Sequence, residues 1–260
     1  MPLLLPFLFV IPEGNLLFVT PTESLALAAA SLSATAAATL AYAALSPGSQ
    51  LFGRTLIAGG DANEAALTYD DGPNDAVTES LLDTLAAHNA RATFFVIGRY
   101  ARQRPELVRR IRAAGHLVGN HTETHPWLAW QSARTIHEEL RACNQAIEDA
   151  LGEPVRYFRP PHGARRPAVF RAAAELGLTT VQWNVMGMDW QPIGTDRILS
   201  HIDRGLTRAR SRGTGANILL HDGSQHGLGA DRTATVASTA ALLVRFAADG
   251  TRTVTVDAWG

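Results

Sequence analysis

Ala65-Ala66-Leu67-Thr68-Tyr69-Asp70-Asp71-Gly72-Pro73 changes character at its midpoint. Residues 65–69 form an apolar, β-prone run of strand length, and the four that follow are a strong turn signal. Working outward, Val77, Leu81, Leu82 and Leu85 share one helical face, and 92–97 (ATFFVI) is again a continuous apolar run of strand length. Leu107, Val108 and Ile111 mark the next helix, with Gly115 where a C-cap glycine belongs. A short strand at 117–119 precedes the best helical pattern in the chain, 136–151. Further strands are expected at 155–158, 179–183, 218–220 and 254–256, with helices near 166–176, 196–210 and 233–248. Short strands alternating with longer helices imply βαβ units and a parallel sheet. About seven such units suit an α/β barrel better than an open sheet.

Strongly polar residues fall just past these apolar runs. Asp70 and Asp71 end the first, His121 and His125 follow 117–119, Arg159 follows 155–158, Asp189 lies after Trp183, and His221 follows 218–220. In a parallel barrel all strand C-termini open on one face, so residues remote in sequence converge there. His121 and His125 have the i, i+4 spacing of two imidazoles reaching one metal, although Pro126 disfavours helix at His125 and places the pair on a loop or one short turn. Asp71 completes a His2Asp set, with positions left for water and substrate as in a catalytic divalent site. Asp70 is then free to act as general base. The bland alternative makes Asp70-Asp71-Gly72-Pro73 an ordinary turn, because Asp, Gly and Pro are turn residues.

Composition removes several chemistries. All 23 basic residues are arginine, which excludes Schiff-base, pyridoxal and Walker-A lysine chemistry. The single Cys143 excludes an internal disulfide and any multi-cysteine metal site, and its place in the series Ile136, Leu140, Cys143, Ile147 reads as core. Formal net charge is −1 and the arginines are dispersed, so no nucleic-acid partner is expected. The only charged residues in 1–53 are Glu13 and Glu23. Within that segment, 25–45 is an uncharged stretch with eleven alanines, long enough to cross a membrane, and Ala41-Tyr42-Ala43 resembles a signal-peptidase site. No Lys or Arg precedes it, and the earlier run 1–11 is short and interrupted by Pro2 and Pro6. The expectation is an N-terminal signal, anchor or helix at 1–48 and a catalytic domain at 49–260, secreted or tethered at a bacterial cell envelope. A packed alanine-rich helix would instead leave the protein cytoplasmic.

Thr68-Tyr69-Asp70-Asp71-Gly72-Pro73, His121-Thr122-Glu123-Thr124-His125-Pro126 and Arg159-Pro160-Pro161-His162-Gly163 resemble three signatures of the polysaccharide deacetylases. These are metal-dependent carbohydrate esterases of family 4 with a NodB-like domain. Asp189-Trp190 and Leu219-Leu220-His221 resemble the remaining two, in family order. The resemblance implies a distorted (β/α)7-type barrel and hydrolysis of N-acetyl or O-acetyl groups on sugars, with an acetylated glycan as partner. It implies Asp71, His121 and His125 as ligands of a divalent ion, zinc first and cobalt as an alternative. It makes Asp70 the base, with Arg159 orienting it and favouring its ionised form. The His162 amide would help bind the oxyanion, with Pro161 beside it. His221 would be the acid, Asp189 would fix its tautomer, and Trp190 and Leu219 would wall the acetyl pocket. His162 stands where tyrosine is commoner, and Met186 where many members carry another acid. His226 reads as a solvated loop residue that could touch substrate. A xylan O-acetyl esterase would use the same residues; a cyclic-amide hydrolase or a non-catalytic glycan-binding relative fits the full motif set less well.

Overall fold

A computed structural model of the protein describes residues 8–10, 16–18 and 20–260. The chain divides into two compact units, Met1–Ala43 and Ala44–Gly260. In the first, strands β1 (Leu8–Val10) and β2 (Leu16–Phe18) pair antiparallel, and helix α1 spans Pro21–Leu45. The run 1–11 otherwise lies outside the described residues. Ser24–Leu45 is long and apolar enough to cross a membrane, and Leu25, Leu27, Leu32 and Leu40 along it are exposed.

The second unit alternates strand and helix as the pattern predicts. Its elements are β3 (Glu64–Gly72), α2 (Asp75–Ala87), β4 (Thr93–Val96), α3 (Gly98–Gln103), α4 (Pro105–Ala113), β5 (Leu117–Asn120) and α5 (Ala133–Leu151). They continue with β6 (Tyr157–Phe158), α6 (Pro167–Glu175), β7 (Thr179–Thr180), β8 (Val185–Met186), α7 (Thr195–Ser211), β9 (Ala216–His221), α8 (Thr233–Asp249) and β10 (Arg252–Thr253). Local chemistry sets the boundaries. Ser132 Oγ accepts from Thr135 N at 3.1 Å to start α5, and Gly152, at φ 71°, ends it in the left-handed region.

The strands form one parallel sheet in the order β7-β6-β5-β4-β3-β9-β8, with β10 beside the start of β3. The eight strands form a parallel half-barrel with flanking helices, the α/β barrel class that the alternation predicts. A parallel bridge, Leu56 to Val181, extends its β7 edge. Side chains alternate across each strand. Ala65, Leu67 and Tyr69 of β3 join the large core between sheet and helices, whereas Ala66 joins Phe95, Tyr157, Val181 and Val256 in a small core inside the barrel. The same alternation sends Thr68 and Asp70 inward. Cys143 is buried in the outer core, and burial pushes its thiol up, as an inert core residue requires.

Three expectations are corrected. Residues 254–256 are not a strand: β10 is the preceding pair, and Val256–Trp259 is a 3-10 turn whose Trp259 indole donates to Glu64 Oε2 at 2.7 Å. The expected strands at 155–158 and 179–183 shrink to two residues each, Tyr157–Phe158 and Thr179–Thr180, with Val181 pairing as an isolated bridge to Leu56. Between 183 and Asp189 lies an additional strand, β8, too short to carry a period.

Candidate active site

Asp70 reaches the cleft by strand alternation, but its neighbour Asp71 should then face the opposite way. The pairing of β3 with β4 slips between Asp70 and Gly72, and Asp71 takes φ 72°. That irregularity turns both carboxylates to one side. Of the six non-glycine residues with positive φ among the described residues, five, Asp71, Thr122, His125, His162 and Met188, lie at or beyond the strand ends on this side of the barrel, Asn89 being the exception. Such backbone persists only where surroundings over-determine it. At Thr122, Asn120 Oδ1 accepts from its N–H at 2.7 Å, and its own Oγ1 accepts from His125 N at 3.0 Å. Asn120 is in turn tied to α5, donating to Leu140 O and to Asn144 Oδ1. The His121–His125 segment is accordingly a braced loop, not a helix.

Asp71, His121 and His125 present one ligand atom each within 4.8 Å of one another. His125 Nε2 is 3.1 Å and His121 Nε2 3.5 Å from Asp71 Oδ1, yet that buried oxygen makes no hydrogen bond. Burial pushes the Asp71 carboxyl up, but the two imidazoles override it and hold the group well below the usual carboxylate range. His121 Nδ1 lies 2.8 Å from the Arg159 carbonyl; that contact makes Nδ1 the protonated nitrogen and leaves the Nε2 lone pair facing the cluster. An unpartnered buried carboxylate oxygen opposite two imidazole nitrogens fits a divalent cation.

Arg159 lies beneath Asp70. Its Nη1 donates to Asp70 Oδ1 and to Thr68 Oγ1, each at 2.8 Å, and its Nη2 donates to Asn217 Oδ1 at 3.2 Å. The guanidinium is 0% exposed and lies 4.3 Å over the Phe95 ring. A charge so buried is stable only when paired, so the barrel interior holds Asp70 in one orientation.

At the other end of the cleft Asp189 is fully occupied. It accepts from His221 Nδ1 at 2.9 Å, from His221 N at 2.8 Å and from Thr235 Oγ1 at 2.7 Å. Burial lowers the His221 imidazole, but Asp189, aided by Asp71 and Asp70, outweighs it and raises the group to about 9. A proton is thereby kept on His221, with Nε2 left for other partners. The edge of Trp190 rests against this ring at 5.3 Å.

The cleft has a volume of about 630 Å³, and its walls include Asp70, Asp71, His121, His125, His162, Trp190, Leu219 and His221. Arg159 and Asp189 stand behind it. Pro161 alone of the expected substrate-binding residues stays out, buried at the start of the turn that carries His162. Met186 and His226 also line it, the latter exposed at the rim. Burial pushes His162 down to about 4, with the charges of His125 and His121 adding to the effect.

Two contributors were not anticipated. Thr235 supports Asp189 from α8, and Asp222 is buried beside Gly72, accepting from Thr78 Oγ1 at 2.6 Å. Burial raises Asp222 to about 7. An acid directly after His221 was visible as a residue; its burial against Gly72 was not.

Known proteins resemble this chain in sequence and fold. The polysaccharide deacetylase family profile matches residues 58–181. The chain is 44% identical over 166 residues to the chitooligosaccharide deacetylase of Sinorhizobium fredii, covering 64% of this chain and 74% of that one. The crystal structure of the Bc1960 peptidoglycan N-acetylglucosamine deacetylase superposes with TM-score 0.70 and 29% identity, over 78% of this chain and 91% of the other. A family 4 pseudoenzyme from Bacillus anthracis also superposes, with TM-score 0.66 and 26% identity, over 76% of this chain and 65% of that one. The fold therefore accommodates members described as enzymes and as pseudoenzymes alike, and site chemistry must separate them.

Proposed function

The chain belongs to the polysaccharide deacetylase family, and on that premise we propose that it removes acetyl groups from N-acetylated sugars of a chitooligosaccharide, peptidoglycan or related polysaccharide. One observation carries the reading. An unpartnered Asp71 oxygen facing two imidazoles, a braced Asp70 and an Asp189-bound His221 all meet in one cleft.

A divalent ion held by Asp71, His121 and His125, zinc or else cobalt, would supply Lewis acidity at the acetyl carbonyl and acidify the attacking water. Asp70 takes the proton of that water through Oδ2 while Arg159 pins Oδ1. The His162 amide N–H supports the developing oxyanion, a role that needs backbone and not the usual tyrosine side chain. His221 gives its Nε2 proton to the sugar nitrogen as the C–N bond breaks, releasing acetate and a free amine, and Asp189 stabilises the imidazolium before transfer. Leu219 and Trp190 enclose the acetyl methyl group. Every group of this scheme is present, which argues against a non-catalytic relative.

The helix Ser24–Leu45 supports export or membrane anchoring, with 49–260 acting on envelope or external glycan. The decisive experiment is acetate release from chitooligosaccharides, peptidoglycan and acetylated xylan, before and after chelation and after re-addition of zinc or cobalt. Activity on the N-acetylated glycans should vanish with chelator and return with metal; indifference to chelation would sink the proposal.

A further inference from the structure

Trp127 stands two residues beyond His125 and belongs to none of the five motifs. Its indole lies on the His162 imidazole with ring centroids 4.0 Å apart and planes 10° from parallel, and His162 meets His125 edge-on at 4.6 Å. The indole is thus held by ring contacts that run straight to the cleft wall. It nevertheless remains 46% exposed. Trp130 is 83% exposed at the end of the 3-10 turn Leu128–Trp130, whose Leu128 is buried in the core and whose Trp130 N–H donates to Trp127 O at 3.1 Å. Arg166 Nη2 secures the exit by donating to Gln131 O at 2.6 Å. Trp127 is therefore held half in water beside the cleft wall, and Trp130 follows it on the same turn, almost fully exposed. Exposed apolar surface of this kind, continuous with a binding site, marks further contact with the ligand.

We infer that Trp127, extended by Trp130, is a stacking platform for a sugar ring of the substrate glycan beyond the one being deacetylated. A pyranose ring offers an apolar C–H face to an indole while its hydroxyls stay in water, the same division that suits Trp to half-wet interfaces. Position fixes the direction. Trp190 lies at the His221 end and Trp127 at the metal-ligand end, so the glycan chain continues past the metal ligands onto Trp127. His162 contributes in place of tyrosine a flat ring that supports the indole from below. The inference rests on the glycan deacetylase reading and adds a preference for longer oligomers.

The test compares the metal-loaded full chain and its Trp127→Ala, Trp127→Phe and Trp130→Ala variants on the chitin disaccharide and pentasaccharide, reading kcat and KM for acetate release. Loss of one well-packed aromatic contact should cost Trp127→Ala about tenfold in kcat/KM on the pentasaccharide, carried by KM, and about twofold on the disaccharide. Trp130→Ala should show a smaller loss of the same kind, and Trp127→Phe should recover most of the pentasaccharide preference. An equal loss on both substrates in Trp127→Ala would mean that the indole merely props His162, and would overturn the inference. So would an unchanged ratio. An unaltered protein that releases no acetate from any glycan would overturn the parent reading instead. In that event, pentasaccharide binding that leaves Trp127 fluorescence unperturbed would overturn the platform separately.

Discussion

The two ends of the cleft each set a carboxylate against histidine, and they do so in opposite ways. Asp71 faces two imidazole nitrogens while its buried Oδ1 makes no hydrogen bond. Asp189 faces one imidazole and accepts three hydrogen bonds, two of them from His221 and one from Thr235. Unfilled acceptor capacity in a buried site is costly unless a cation takes it up. A filled carboxylate instead holds its proton donor in one tautomer. On the proposed reading one end receives an ion and the other keeps a proton, with Asp70 paired to Arg159.

The sharpest way to break this comparison is to remove the base and leave both ends intact. Asp70→Asn should lower acetate release by about 10³-fold while bound metal, measured by elemental analysis of the purified protein, stays at the level of the unaltered chain. Near-normal turnover would refute the base assignment. His125→Ala should abolish activity and metal content together, in contrast to Asp70→Asn, because a two-ligand site no longer holds the ion firmly.

The proton-holding end predicts a smaller effect with a definite sign. His221 is raised to about 9 and must be protonated to serve as acid, so kcat falls as pH rises through that region. A bound dication opposes the imidazolium and brings this limb below 9. Asp189→Asn removes the largest stabilising charge, so the alkaline limb should move further down toward the ordinary histidine range, with kcat reduced about 10²-fold and metal content unchanged. A limb that stays in place would separate Asp189 from the acid.

The smallest change concerns the backbone that joins the two ends. A Cβ on Gly223 would sit 2.1 Å from the Asp71 carbonyl oxygen, a backbone atom that cannot swing aside. Gly223→Ala should cost about 1–3 kcal/mol in denaturant-induced unfolding and weaken metal affinity, since relief must move Asp71. Unchanged midpoint and metal content would show that the strand ends can shift independently.

Much of this site was legible because its members are chemically conspicuous at strand ends. Asp70, Asp71, His121, His125, Arg159, Asp189 and His221 each follow an apolar run, and the fold needs only its parallel register to gather them. Thr235, Asp222 and Trp127 were not legible, for a shared reason. Thr235 sits in an ordinary helical pattern, Asp222 follows a histidine already singled out, and Trp127 lies just outside the motif that carries His125. Their importance lies in what they touch. The two-residue strands failed for a different reason: β8 is too short to display a period of any kind.

By itself the sequence determined the βαβ alternation, the barrel and the set of polar groups on its open face, because periodicity and strand length are properties of neighbours along the chain. Only the tertiary structure decided that Asp71 turns to the same side as Asp70. That choice depends on the slipped register between β3 and β4, a relation between two strands. It also decided which carboxylate stays open and which is filled, because hydrogen-bond saturation is set by whatever groups three-dimensional packing brings within reach, here Thr235 for Asp189 and none for Asp71 Oδ1.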